Sequence, residues 1–246
     1  MRKFFKRIYW GLRFWLLSRK NEDGVEYIYR RRHSDRLIIV FNSAEGKFNF
    51  FRTLEHFKID QLFISDSWAN NYSYYWFEGK QDYPERYTQK LIETILARKH
   101  YRQVITLGSS KGGTAAIYYG LKNNVDLVFA GACKYLVGNQ VGHFQYSFCP
   151  ERWQRMIGGE PTQEWIDILN RKMSDMIEAH RNSRTVVRMI YSTEEHTYPD
   201  DIVHILKKFD ECGIRHEDTV EKFTYHPHNG RYVKREILAY LNGPEK

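Results

Sequence analysis

Short apolar runs alternate along the chain with longer stretches in which apolar residues recur at three- and four-residue spacing. The short runs are typical of buried strands, and the longer stretches are typical of amphipathic helices. The pattern predicts strands at 37–41, 61–65, 103–107, 127–131, 185–191 and 220–224. It predicts helices at 84–100, 113–122, 151–179, 200–212 and 231–241.

Continuously apolar strands that alternate with helices are typical of a parallel sheet with helices on both faces, because both faces of such strands must be buried. The chain has no internal repeat, low-complexity tract or Gly/Ser/Pro-rich linker. We therefore expect residues 33–246 to form a single α/β domain after a basic N-terminal segment, residues 1–32. The aromatic and glycine-rich stretch 133–163 is expected to form a cap over the site.

Composition narrows the class of protein. The chain has 246 residues, of which 42% are hydrophobic and 16% aromatic, and this excludes a disordered chain. A mean hydropathy of −0.64 excludes a multi-span membrane protein. The three cysteines, Cys133, Cys149 and Cys212, share no CxxC or CxxH spacing. We therefore expect a reducing compartment, with neither a disulfide framework nor a metal site.

Nearly all of the net charge lies at the N-terminus. Of a formal net charge of +8, residues 1–32 carry +7, from ten Lys or Arg against three Asp or Glu. A nucleic-acid-binding protein usually spreads its positive charge over a folded face. The near-neutral remainder of the chain therefore argues against nucleic acid as a partner.

Residues 1–20 interleave basic residues with large apolar ones. A membrane-spanning helix needs about 20 mostly apolar residues, and Arg13 interrupts this stretch. A secretory signal needs an unbroken apolar run and a small-residue cleavage site, and both are missing. The pattern favours a helix on an anionic membrane surface, in a cytoplasmic protein peripheral to the inner membrane. The alternative is that its aromatic residues pack on the domain or on a partner subunit.

The most informative motif is Gly108-Ser109-Ser110-Lys111-Gly112, between a predicted strand and a predicted helix. A G-x-S-x-G pattern in this context is typical of a nucleophile elbow, where the glycines relieve crowding in a sharp turn. The motif predicts Ser110 as a nucleophile above the carboxyl end of a central strand. The alternatives are a phosphate-binding turn and a purely structural one.

A serine nucleophile needs a carboxylate to orient its base, and the carboxylate is expected after the strand that follows the cap. The loop after the predicted strand 185–191 offers Glu195 for this role. Glu194 and then Asp200 are the alternatives. Each of these carboxylates could instead be a solvated loop charge.

The base is expected in the loop after the last strand. That loop contains His226-Pro227-His228, followed by Asn229-Gly230 and the last predicted helix. His228 is the predicted base because a flexible Asn-Gly pair follows it. His226 is the alternative, since Pro227 makes the two rings point in different directions.

An oxyanion hole is expected from two backbone N–H groups. The first is that of Lys111, and the second is that of Asn42 or Ser43 in the loop after the first predicted strand. The Lys111 side chain could attract a phosphate or an anionic polymer, or it could simply be solvated.

The string from Leu107 to Gly113 resembles the elbow of bacterial capsular-polysaccharide O-acetyltransferases, which have an α/β-hydrolase fold. This resemblance extends in pattern over about 37–241, although only the elbow is specific. It implies an α/β-hydrolase-like fold, acetyl-CoA as the acetyl donor, a polysaccharide acceptor and no metal.

The same resemblance implies roles for individual residues. It matches Ser110 with the family's serine, the pair Glu194-Glu195 with its acid, and His228-Asn229 with its histidine and the residues that follow. The chain departs from the family in having Glu where the family has Asp, and in the additional His226-Pro227.

These observations predict an acetyl-CoA-dependent O-acetyltransferase that modifies a cell-surface polysaccharide through an acyl-serine. The alternatives are a serine hydrolase of esters or thioesters and a non-catalytic scaffold in a polysaccharide or secretion complex. An aromatic cluster is expected either to stack on sugar rings or to pack in the core; it contains Trp68, Tyr72, Tyr74, Tyr75 and Trp76.

Overall fold

A single sheet of eight strands organises the described part of the chain, which comprises residues 2–44, 47–142 and 150–243 of the computed structural model. The strands are β1 (Arg19–Lys20), β2 (Glu26–Arg30), β3 (Arg36–Phe41), β4 (Asp60–Ser65), β5 (Gln103–Ser109), β6 (Leu127–Gly131), β7 (Val186–Ser192) and β8 (His216–Glu221). Their spatial order is β1-β2-β4-β3-β5-β6-β7-β8. Strands β3 to β8 are parallel to one another, whereas β1 and β2 form antiparallel pairs at one edge.

Helices connect the strands and cover both faces of the sheet. They are α1 (Arg2–Leu17), α2 (Phe51–Leu54), α3 (Tyr83–Leu96), α4 (Lys111–Lys122), α5 (Val137–Gly142), α6 (Pro150–Ile157), α7 (Gln163–Ala179), α8 (Val203–Cys212) and α9 (Asn229–Asn242). Side chains of α3, α4, α7 and α8 pack in one apolar cluster, and those of α1, α2 and α9 pack in the other.

Strand β3 shows why two clusters form. Leu37 and Ile39 belong to the first cluster, whereas Ile38 and Val40 belong to the second. Successive side chains of a strand point to opposite faces, so a continuously apolar strand needs cover on both sides. The predicted mostly parallel sheet with helices on both faces is confirmed.

The strands predicted from the sequence differ from the observed strands at both edges of the sheet. The bounds of the last strand, predicted at 220–224, are wrong, because β8 is His216–Glu221 and shares only residues 220 and 221 with the prediction. Its side chains are all at least partly exposed, so it lacks the apolar run that identifies an interior strand. Strands β1 and β2 were not predicted at all, since they too are short and partly polar.

Helix α1 packs one of its faces onto the domain. The Phe14 ring lies 5.4 Å from that of Phe51 and 5.5 Å from that of Phe48. The guanidinium of Arg52 lies 4.0 Å from the centre of the Trp10 ring. Among the described residues, no helix combines the length and the apolar character needed to cross a bilayer.

Candidate active site

Ser110 lies in a sharp turn between β5 and α4, and its backbone is strained. Its φ of 56° and ψ of −127° are unusual for a residue with a side chain. The neighbouring glycines make this turn sterically feasible, because a Cβ on Gly108 would lie 1.9 Å from the carbonyl oxygen of Gly112. The Ser110 N–H donates to the carbonyl oxygen of Gly131 at 2.7 Å, which ties the turn to the end of β6.

His226 connects Ser110 to a buried carboxylate. Its Nε2 lies 2.8 Å from the Ser110 Oγ, and its Nδ1 lies 3.1 Å from Oε1 of Glu195. The carboxylate favours the tautomer with a proton on Nδ1, and Nε2 then accepts a hydrogen bond from the Ser110 hydroxyl. This relay can activate the hydroxyl as a nucleophile.

The prediction of His228 as the residue next to the serine is wrong, and the alternative, His226, takes that place. Residues His226–His228 form a 3₁₀ turn immediately before α9. Successive side chains of a 3₁₀ helix point about 120° apart. His226 and His228 therefore point in different directions, and only one of them can face Ser110. The exposed His228 ring instead packs against Tyr225, with 5.3 Å between the ring centres.

Asn229 anchors this turn. It is buried, and its Nδ2 donates to the Ser109 Oγ at 2.9 Å. The contact joins the first residue of α9 to the residue before the nucleophile. Asn229 therefore fixes the position of the whole histidine turn above β5.

Glu195 is the carboxylate that reaches the relay, whereas Glu194 and Asp200 are exposed. Its Oε2 accepts hydrogen bonds from the N–H and the hydroxyl of Thr197, the former at 3.2 Å. Burial raises the pKa of Glu195, but the hydrogen bonds from His226 and Thr197 outweigh burial and hold the pKa below its usual value. Glu195 is thus ionised at neutral pH.

A second histidine shares this carboxylate. His196 Nδ1 lies 2.5 Å from Oε1 of Glu195, and its ring centre lies 5.4 Å from that of His226. Partial burial and the nearby Lys134 ammonium lower the pKa of His196, so it is neutral at pH 7. No role is predicted for His196 from the sequence, because it lies in the loop of the acid and not in the loop expected for the base.

Glu195, His196 and His226 each offer a ligand atom within 4.8 Å of the others, so they could hold a metal ion. A metal bound there would occupy the nitrogen or oxygen atoms that link His226 to its partners. Metal binding and the hydrogen-bonded relay therefore require the same atoms. The absence of a metal remains a prediction.

The predicted second oxyanion donors are already engaged. The N–H of Asn42 donates to the Tyr75 hydroxyl at 2.8 Å, and the N–H of Ser43 donates to Oδ1 of Asn49 at 2.8 Å. Neither group is therefore free to bind an oxyanion in this structure. The Lys111 N–H, at the start of α4, has no acceptor within the described residues. Ala44, which was not predicted, lines both cavities at Ser110, whereas the predicted Ser43 lines the second cavity only.

The Lys111 side chain is neither solvated nor available to a phosphate. It is 1% exposed, and its Nζ lies 2.7 Å from Oδ2 of Asp66 and 2.7 Å from the carbonyl oxygen of Asn71. Burial lowers its pKa, and the Asp66 carboxylate opposes that shift. Lys111 thus ties the elbow to the loop after β4, which is a structural role.

Two cavities meet at Ser110 and His226. The first, the aromatic cleft, has a volume of about 760 Å³. Its lining includes Tyr72, Tyr74, Lys134, Trp153, His196, Asp200 and His204. The second, the basic cleft, has a volume of about 560 Å³. Its lining includes Asn49, Phe50, Thr53, Ser109, Arg231 and Lys234.

All five residues of the predicted aromatic cluster pack in or against the first apolar cluster, and two of them also line a cleft. Tyr72 and Tyr74 line the aromatic cleft, where the Trp153 ring lies 6.0 Å from that of Tyr74 and nearly parallel to it. The other three aromatic residues pack in the core: Trp68, Tyr75 and Trp76. Trp153 belongs to α6 within the predicted cap, of which residues 143–149 lie outside the described residues.

Comparison with solved structures identifies the architecture. The capsule O-acetyltransferase of Neisseria meningitidis serogroup A, in a structure with CoA, superposes with a TM-score of 0.75 at 13% identity, covering 92% of this chain and 94% of that one. A fluorophosphonate-binding serine hydrolase of Staphylococcus aureus gives a TM-score of 0.65 at 10% identity, covering 92% and 97%. The fold is that of an α/β-hydrolase.

A further structural match is to the glycosylation-associated protein complex of Streptococcus agalactiae. It has a TM-score of 0.73 at 17% identity, and covers 93% of this chain but 47% of that one. No family model matches the chain, and no curated protein matches its sequence.

Proposed function

We propose that this α/β-hydrolase is an O-acetyltransferase that uses Ser110, His226 and Glu195 to move an acetyl group from acetyl-CoA to a sugar hydroxyl of a cell-surface polysaccharide. The observation that carries the proposal is the hydrogen-bonded Ser110–His226–Glu195 relay at the junction of two clefts. The structural similarity to a capsule O-acetyltransferase with CoA supports the choice of substrates.

In the first half-reaction, the Ser110 Oγ attacks the thioester carbonyl and its proton passes to Nε2 of His226. The carbonyl oxygen becomes an oxyanion beside the Lys111 N–H and the positive end of α4. When the C–S bond breaks, the protonated His226 gives its proton to the CoA sulfur. Acetyl-Ser110 and free CoA remain.

In the second half-reaction, His226 accepts the proton of a bound sugar hydroxyl while that oxygen attacks the acetyl carbonyl of Ser110. Collapse of the second oxyanion breaks the ester bond to Ser110, and His226 returns the proton to the Ser110 Oγ. The buried Glu195 carboxylate stabilises the imidazolium in both steps and holds its orientation.

The chemistry of the two clefts suits two different substrates. Arg231 and Lys234 are exposed cations in the basic cleft, and they suit the phosphates of CoA. Aromatic rings and the exposed Asp200 carboxylate in the aromatic cleft suit a sugar, whose hydroxyls donate to carboxylates and whose C–H face stacks on rings. A second bound substrate lets a hydroxyl compete with water for the acyl-enzyme.

Hydrolysis of esters or thioesters is the second candidate function. The similarity to a fluorophosphonate-binding serine hydrolase favours it, because the same relay serves water as an acceptor. The relay also argues against a non-catalytic scaffold, since a scaffold has no need for a hydrogen-bonded serine and histidine at the mouth of a cavity.

A cytoplasmic location follows from the proposed use of acetyl-CoA.

Release of thiol from acetyl-CoA, with and without capsule fragments, separates these functions. We expect slow release without an acceptor and release several-fold faster with the right polysaccharide, together with acetyl groups on the polymer. Fast release without an acceptor, and equally fast cleavage of simple esters, would identify a hydrolase. No reaction with either donor, and no labelling of Ser110 by a fluorophosphonate, would favour the scaffold.

A further inference from the structure

Helix α1 carries an exposed apolar face in addition to the face that packs on the domain. Trp15 is 74% exposed, Leu16 71%, Leu12 58% and Tyr9 56%. Elsewhere in the described residues, the exposed large hydrophobic side chains lie in separate elements: Val203, Val220 and Tyr225. A cluster of exposed apolar side chains on one element marks a docking surface rather than ordinary surface composition.

The spacing of these residues defines the face. Tyr9, Leu12 and Leu16 are three and four residues apart, so they lie on one side of α1, and Trp10 and Phe14 occupy the packed side. Helix α1 therefore has two apolar sides, of which one packs on the domain and the other is exposed.

We infer that this outward face of α1 docks the protein on an anionic lipid bilayer. Residues 1–32 carry a net charge of +7, and the exposed Arg19 and Lys20 follow the helix directly. Exposed aromatic and aliphatic side chains enter the headgroup region of a bilayer, while neighbouring cations bind its negative surface.

The positive charge of the N-terminal segment also argues against a second copy of this chain as the partner that covers the exposed face of α1. In a two-fold symmetric dimer, the same surface of both copies meets at the interface. Two copies of α1, each with five Lys or Arg and no Asp or Glu, would then face each other across an apolar contact, and their repulsion opposes association. An anionic bilayer supplies the complementary charge instead.

Docking also has a consequence for the site. Phe48 and Phe51 contact α1, whereas Asn49, Phe50 and Thr53 of the same short segment line the basic cleft. The segment 48–54 therefore lies between the docking helix and the cleft. Docking through α1 holds that cleft close to the bilayer surface.

Sedimentation with vesicles tests this surface in the full-length protein. We expect binding to vesicles of phosphatidylglycerol and phosphatidylcholine, with little binding to phosphatidylcholine alone, and weaker binding as salt increases. The L12Q/L16Q variant should bind at least about ten-fold more weakly, because it removes two side chains from the buried part of the contact. The matched control V203Q/V220Q changes two exposed apolar residues outside α1, so it should bind like the wild type.

Two measurements keep the inference open to refutation. Because Leu12 and Leu16 are exposed, the variant should retain the circular dichroism spectrum and thermal midpoint of the wild type. The fluorescence contributed by Trp15, taken as the difference from W15F, should shift to the blue with anionic vesicles only. Equal sedimentation of L12Q/L16Q and the wild type overturns the inference. So does a blue shift that depends on protein concentration without vesicles, since it would identify a second copy on this face.

Discussion

At the scale of single residues, the site depends on which side chains reach the same edge of the sheet. Ser110 follows β5, Glu195 lies three residues beyond β7, and His226 follows β8. Because β5, β7 and β8 are parallel strands, their carboxyl ends lie at one edge, where loops from distant parts of the chain meet. The buried position of Glu195 and the 3₁₀ turn that contains His226 then bring the three groups into hydrogen-bond contact.

Substitution of the two neighbouring histidines distinguishes their roles. We expect H226A to reduce acetyl transfer by about 10³-fold or more, as S110A should, because each removes a member of the relay. H228A should retain most of the activity, since the exposed His228 ring contacts Tyr225 instead of Ser110. Steady-state rates with acetyl-CoA and acceptor provide the measurement. An active H226A with an inactive H228A would refute the assignment.

The lowered pKa of Glu195 also predicts how the free energy of unfolding depends on pH. Its pKa in the folded protein is below the ordinary value of 4.5, so the unfolded chain binds a proton more readily. Its contribution to the free energy of unfolding is complete above the ordinary value and is lost as the pH falls through the folded-state pKa. E195Q should therefore show a flatter decline in the free energy of unfolding than the wild type between roughly pH 5 and pH 3. Urea denaturation across that range tests this, and parallel curves would contradict it.

At the scale of elements, the start of α4 packs closely against β3, β5 and β6 because glycines line these contacts. A Cβ on Gly112 would lie 2.5 Å from the carbonyl oxygen of Phe41, and one on Gly113 would lie 2.9 Å from that of Gly131. Since these obstacles are backbone atoms, no side-chain rotation relieves them. The start of α4, and with it the Lys111 N–H, is held against β3 and β6 by this packing.

Two glycine substitutions test that packing. G108A should lower the free energy of unfolding by about 3 kcal/mol and abolish transfer, because the added Cβ meets the backbone of Gly112. G11A, in α1, has no atom within 4 Å of its Cβ, so it should be neutral or stabilising by roughly 0.5–1 kcal/mol. Urea denaturation of both variants gives the comparison. Equal stability of G108A and G11A would contradict the proposed packing.

The interior strands, the elbow and the position of the acid could be predicted from the sequence, because each has a local signal. Strand β8 could not, since its exposed side chains follow no apolar run. The choice between His226 and His228 depended on where β8 ends and on the 3₁₀ turn that follows, which tertiary contacts determine. The engaged N–H groups of Asn42 and Ser43 likewise depend on Tyr75 and Asn49, whose positions no local pattern predicts.

At the scale of the whole molecule, charge and cavity chemistry distinguish three regions of the surface. Residues 1–32 carry +7 of the net charge of +8, the basic cleft lies beside the segment that contacts α1, and the aromatic cleft shares Ser110 and His226 with the basic cleft. A donor and an acceptor can thus approach one nucleophile from different cavities. This arrangement is what the proposed two-step transfer needs, since each half-reaction uses the same relay.

The most direct test of this account is the mass of the peptide containing Ser110 after brief incubation with acetyl-CoA and acid quenching. We predict one acetyl group on Ser110 in the wild-type protein, none in S110A, and much slower formation in H226A. A chase with the polysaccharide acceptor should remove the acetyl group faster than buffer does and should place it on the polymer. An acetyl group on another residue, or acetylated polymer formed by S110A at the wild-type rate, would contradict the account.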